Sequence, residues 1–213
     1  MENKNNTRHR AKQEKMNPEE IRKEIFSWIR LIVIVVVAVV LLKQFVIVNA
    51  VVPSTSMEDT IQVGDRMIGF RLSYIKNPPK RYDIVIFNYP VDKSQKYIKR
   101  VIGLPGETVE IRDAHIYIDG SETPLVENYL KEDWIVGNDG YRFEVPEGCY
   151  LMLGDNRNIS LDARYWSEEA INNGVASNEQ EAAQYSYVPK DEMLGKAVFK
   201  YWPKFANLSS VEE

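Results

Sequence analysis

Apolar residues change their spacing twice along this chain. Polar residues dominate up to Glu24, an unbroken apolar run follows, and beyond Pro53 the apolar positions recur in short alternating stretches. The unbroken run is "LIVIVVVAVVLL", Leu31–Leu42, twelve uncharged residues between Arg30 and Lys43. As a helix those twelve residues span only ~18 Å of a ~30 Å hydrocarbon layer. Extending the helix over residues 25–48 gives ~36 Å, with Arg30 and Lys43 turning their charged heads outward and Trp28 in the interfacial belt. A buried core helix or strand is the competing reading; twelve unbroken apolar residues exceed a usual buried strand, and the basic flank fits an anchor. The helix start is legible upstream in "NPEE" (17–20), with Asn17 as N-cap, Pro18 at the first helical position and Glu20 three residues past the cap.

The later runs predict an antiparallel β domain. "RYDIVIFNY", "KYIKRVIG", "ETVEIRDAHIYIDG", "YRFEV" and "CYLML" are strand-like and separated by Gly, Pro, Asn and Asp. "KNPPKR" (76–81) reads as a polar turn, residues 113–115 as a short hairpin connection, and residues 121–140 as loop. In the polar stretch 167–186, Ser177 followed by Gln180 predicts one short helix. The expected organisation is therefore a head over residues 1–24, an anchor over 25–48 and a β-rich domain over 49–213.

Charge gives the anchor a direction. Residues 1–30 hold eight Lys/Arg against five Glu, while the remainder holds nineteen Lys/Arg against twenty-six Asp/Glu. A basic head stays in the cytoplasm, which puts the domain on the far side as an uncleaved signal-anchor. The acidic body, without Lys/Arg blocks, offers no electrostatic footprint for nucleic acid. Cys149 is the single cysteine, so no intrachain disulfide and no cysteine-based metal cluster is available. His9 and His115 lack the acidic neighbours of a ligand set, and no metal site is expected.

The candidate chemistry lies in "AVVPSTSMEDTIQVGD" (50–65), where Ser54, Thr55 and Ser56 crowd between a proline and a methionine. Such hydroxyls serve turns, or they hold a nucleophile. A serine nucleophile needs a base, and His115 sits in no recognisable triad motif while His9 lies in the basic head. A lysine inside an apolar strand is the alternative, because burial disfavours its charged form. Lys99 in "YIKRVIGLPGE" (97–107) is such a residue, with strand alternation putting it on the face of Tyr97 and Val101 and Arg100 on the other. From this segment alone, an edge-strand lysine facing water is the favoured reading of Lys99.

Taken together, "PSTSM" (53–57), "GDRMIGFRLSY" (64–74), "RYDIVIFNYP" (81–90), "YIKRVIGLPGE", "GDNRNISLDAR" (154–164) and "YVPKDEMLGKAVFKYWP" (187–203), in this order behind an anchor, resemble the bacterial type I signal peptidases. The resemblance covers about residues 25 to 202. It implies a mainly β fold, an antiparallel peptidase domain shared with autoproteolytic repressors, behind one transmembrane helix. It implies a membrane-bound Ser-Lys endopeptidase that removes signal peptides after Ala-X-Ala-type sites without a cofactor. Signal peptides of preproteins, the lipid bilayer and the secretion translocon are the implied partners, and a bacterial, weakly a Gram-positive, cell membrane the location. By position, Ser56 matches the nucleophile and Lys99 the general base. Ser54, with the Ser56 N–H, matches the oxyanion donors, Ser160 the residue orienting the lysine amine, and Asp162 with Arg164 a supporting pair. Ile159, Ala163 and Ser167 depart from the residues common there (Asn, Ser and Gly), and none removes a catalytic atom. Three rivals compete with this reading. An inactive, membrane-tethered peptide-binding module would have lost Ser56 or Lys99, the soluble repressors carry a DNA-binding head, and the eukaryotic-type branch has His at the Lys99 position.

Overall fold

The computed structural model describes residues 17–208 except residue 131. The basic head through residue 16, with His9, lies outside them. The chain divides after Leu42 into two compact units. Helix α1, Pro18–Phe45, runs through the apolar segment and is long and apolar enough to cross a membrane. Its start is a reciprocal cap: Glu19 N donates to Asn17 Oδ1 and Asn17 N to Glu20 Oε2, both at 3.3 Å. The helix stops at Phe45, short of the expected boundary at 48. Ile47 and Val48 instead open strand β1, Ile47–Val51, because pairing with the next strand buries Val48 in the core.

In the second unit, β2 (Arg66–Phe70) and β3 (Ile84–Asn88) are separated by a short helix α2, Ser73–Lys76. Strands β4 (Lys96–Gly103), β5 (Thr108–Arg112), β6 (His115–Ile118), β7 (Tyr141–Glu144) and β8 (Cys149–Leu153) follow. Then come helices α3 (Ala163–Asn172) and α4 (Glu179–Ala182) and strands β9 (Tyr187–Pro189), β10 (Met193–Trp202) and β11 (Ala206–Asn207). One antiparallel sheet runs β1-β2-β10-β3-β4-β8-β9 with β11 on β10, and a smaller one runs β6-β5-β7. The β domain is thus mainly antiparallel sheet, as its alternating runs predict.

Strand β3 has a core on each face. Val85 and Phe87 join Val101, Leu151 and Trp166 on one side, while Ile84 and Ile86 join Val48, Met57, Ile61 and Met67 on the other. A strand covered on both faces reads as a continuous apolar run, which is how "IVIF" looks. The β5–β6 hairpin turns through Asp113 and Ala114, both with positive φ (48° and 61°), as a two-residue primed turn requires.

The stretch 167–186 differs from expectation. It carries most of α3, all of α4 and a 3₁₀ turn at Ala183–Ser186, rather than one helix capped by Ser177. Asp162 caps α3, whose buried residues are Ala163, Arg164, Trp166 and Ala170; Ala163, Trp166 and Ala170 follow the helical period, but two of the three are alanines and give only a faint apolar stripe. The cap of α4 is Asn178, whose side chain accepts from Glu181 N at 2.9 Å.

Candidate active site

The three hydroxyls lie on the loop joining β1 to β2. Its stem is closed by Val52 N donating to Asp65 O (3.0 Å) and Gly64 N to Val52 O (2.9 Å). Its floor is Met57 and Ile61, both essentially fully buried. Burial of a methionine of this kind is worth on the order of 1.5–3 kcal/mol, and it fixes the residue next to Ser56. Ser56 is half-buried, and Ser54 Oγ donates to Ser56 Oγ at 3.3 Å. Asn156 N donates to the Ser56 carbonyl (3.1 Å), tying the loop to the 154–164 segment.

Lys99 occupies the middle of β4, between β3 and β8, with Val85 opposite it. Its ammonium lies 5.6 Å from the Tyr97 ring centroid, so the two share a face, as alternation predicts. The residue is only 3% exposed and makes no ion pair with any described residue. Burial lowers its pKa to about 8; Asp162 and Asp155 oppose that shift and Arg164 adds to it. The reading of Lys99 as a solvent-facing edge residue is therefore excluded. Its neighbour Arg100 turns to the opposite side and forms a fully buried ion pair with Asp155 at 2.5 Å. Asp155 also accepts from Thr60 Oγ1 at 2.6 Å, so one carboxylate joins β4, the serine loop and the 154–164 segment.

Ser160 and the Asp162–Arg164 pair come from that segment. Ser160 is 2% exposed, and its Oγ is one of two buried side-chain polar atoms without a hydrogen-bond partner among the described residues. A Cβ placed on Gly154 would stand 2.1 Å from Ser160 Oγ and 2.5 Å from the Ser56 carbonyl oxygen. Ser160 and the Ser56 backbone therefore converge on a point where only glycine fits. Asp162 accepts from Gly154 N (3.0 Å), Arg164 Nε (2.8 Å) and Arg164 Nη2 (2.9 Å), all buried. Although burial raises its pKa, these bonds outweigh that and hold the Asp162 carboxyl below the usual range. Arg164 in turn donates to the carbonyls of Val136, Gly137 and Arg157.

A groove of about 520 Å³ runs over these residues. Ser54, Ser56 and Lys99 all line it, together with residues of β1, Tyr97 and Ile98 of β4, and Ile159 and Leu161. Ser160, Asp162 and Arg164 are buried and do not line it. His115 is exposed on β6 and is not among the groove's residues.

The profile of the family described as signal peptidase, peptidase S26, matches residues 25–202. The chain belongs to this family. It is 33% identical over 211 residues to a probable signal peptidase I-2 of Synechocystis, covering 93% of this chain and 82% of that one. It is 36% identical to the signal peptidase I of Leptolyngbya laminosa over 172 residues (76% and 72% of the two chains). With the signal peptidase I of Bacillus licheniformis it shares 36% over 149 residues (67% and 80%).

For a signal peptidase of this family the sequence reading missed several contributors. Gly154, Asp155, Arg157 and Asn158 all lie in the 154–164 motif, but nothing local in it marks them individually: Arg157 forms a buried ion pair with Glu127 and lies 4.7 Å from the Trp134 ring, and the Asn158 side chain accepts from Ile135 N (2.8 Å) and Val136 N (3.1 Å). The signal was available in the density of polar residues over 154–164, too many for an exposed turn of that length to need. The departures have local reasons. Ala163 is fully buried at the start of α3 and Ser167 sits inside that helix, while Ile159 is exposed at the groove.

Proposed function

We propose that Ser56 and Lys99 are the nucleophile and general base with which this chain, a membrane-bound serine peptidase of the signal peptidase I type, removes N-terminal signal peptides. The observation that carries the reading is a buried lysine, without an ion-pair partner among the described residues, lining the same groove as the serine. Ser56 Oγ attacks the scissile carbonyl as its proton passes to the neutral Lys99 amine. Ser54 Oγ and the Ser56 N–H hold the developing oxyanion. The Lys99 ammonium then protonates the leaving amine, releasing the mature chain and leaving Ser56 esterified by the signal peptide. Water deprotonated by Lys99 hydrolyses the ester and restores the enzyme. Ser160 orients the lysine amine, and the Asp162–Arg164 pair holds the segment that carries Ser160.

Substrates on this reading carry small residues at the first and third positions before the cut. The basic head (1–24) stays in the cytoplasm, the helix from residue 25 to Phe45 anchors, and the domain that begins with β1 works on the far side, supplied by the secretion translocon. An inactive binding module is not favoured, since nucleophile and base are both present. The test is cleavage of a preprotein with an Ala-X-Ala site by detergent-solubilised protein. Ser56→Ala and Lys99→Ala should each abolish turnover, and Lys99→Arg should not restore it, because guanidinium cannot accept a proton near neutrality. Ser54→Ala should lower kcat about 10²–10³-fold. Appreciable activity in Lys99→Arg would overturn the assignment of the base.

A further inference from the structure

A second cavity, about 250 Å³, lies where the chain leaves the apolar helix. Three cations converge on it: Lys43 from the last turn of α1, Arg71 just past β2, and Lys96 at the start of β4. Across the same domain Arg81, Lys93, Arg100, Arg157, Arg164, Lys196 and Lys200 each meet a carboxylate. Lys43, Arg71 and Lys96 meet none among the described residues, and unlike the scattered Arg66, Lys76, Lys80, Lys190 and Lys204, which also meet none, they line one cavity. In a chain of net charge -4 such a cluster is not the average surface. The carbonyl end of α1 carries roughly half a negative charge, which leaves most of three positive ones uncompensated.

Arg71 is also built in rather than trailing in solvent. Its N–H donates to Val46 O (2.9 Å) and its Nε to Ile47 O (3.3 Å), fixing it to the two residues that follow the helix. Ile47 and Ile68 supply an apolar floor, and the Tyr201 hydroxyl, which donates to Asn49 Oδ1 (3.1 Å), adds a polar rim.

We propose that this cavity binds the phosphate of an anionic phospholipid headgroup. The inference rests on α1 being a membrane anchor. Lys43 ends the apolar run, so the first residues after it, Val46 to Asn49, emerge at headgroup depth, where a fixed cation cluster meets lipid phosphate before any soluble anion. Asn49 and Lys96 line both this cavity and the peptide groove, so a seated lipid adjoins the substrate site.

The test uses full-length Ser56→Ala protein in nanodiscs of mixed phosphatidylcholine and phosphatidylglycerol. Native mass spectrometry counts the lipids retained on the ejected protein. Phosphatidylglycerol should be enriched, and enrichment should fall on the order of fivefold for each cation removed in Lys43→Gln and Arg71→Gln. The pair Lys43→Arg with Arg71→Lys should keep it, which separates charge from misfolding. Lys43→Gln/Arg71→Gln with Ser56 intact should cleave a soluble peptide in neutral detergent at the parent rate. Equal enrichment in the double Gln variant would overturn the site. So would displacement of the lipid by millimolar inorganic phosphate, or a defect of the double Gln variant confined to acidic peptide substrates in phosphatidylcholine alone. Protein that fails to float with phosphatidylcholine vesicles would instead sink the anchor reading and the lipid site with it.

Discussion

In water a lysine amine ionises near 10.4, so at neutral pH fewer than about one in a thousand is free to accept a proton. Burial of Lys99 brings its pKa to about 8, which raises the neutral fraction at pH 7 to about one in ten. On the proposed mechanism the protonated form is inactive, so activity should be lost as pH falls. The log of kcat/KM should therefore climb with unit slope below about pH 8 and level off above it. A profile flat between about pH 6 and pH 9 would remove Lys99 from the role of base. Small hydroxyls crowded after the apolar run draw attention to Ser54 and Ser56, and the family resemblance chooses between turn chemistry and a nucleophile. The burial of Lys99 was not, because β3 and β8 that cover β4 are separate runs whose pairing no local pattern states.

The segment from Gly154 to Arg164 acts as one element, holding the serine loop through Asn156, β4 through Asp155, and its own backbone at Gly154 and Arg157 through the Asp162–Arg164 pair. Removing one member of a fully buried ion pair leaves the other charged and unpaired, at a cost of about 3–5 kcal/mol. Asp155→Ala should accordingly lower stability by about that amount in chemical denaturation, with activity lost in the surviving folded fraction as Thr60 loses its acceptor. A change below about 1 kcal/mol would show that the Arg100–Asp155 pair does not join the three elements. The order of boxes along the chain revealed that this segment belongs to the site. Asp155's partner did not show, since Arg100 lies 55 positions away.

At the scale of the whole molecule, the membrane helix and the peptidase domain make different demands on topology. The basic head and the apolar run predict that protease added outside spheroplasts digests the domain after residue 50 and spares residues 1–23. Immunoblotting against each end reads the result, and digestion of the head instead would invert the orientation.

Local physics determined several features from the sequence alone. The apolar run requires a helix that lipid can surround, the Asn17 and Glu20 cap sets its start, alternating runs require strands, and Asp113–Ala114 turns one hairpin. Short-range patterns suffice because backbone hydrogen bonding and solvent exposure act on neighbours. Tertiary structure alone decided that Ile47 and Val48 belong to the sheet rather than the anchor, that Lys99 is dry and Ser160 buried beside Gly154, and that Lys43, Arg71 and Lys96 share a cavity. Each of these depends on segments distant in sequence closing over one another. Charge, burial and the pKa of a side chain are set by what surrounds it, and the surroundings exist only once the chain has folded.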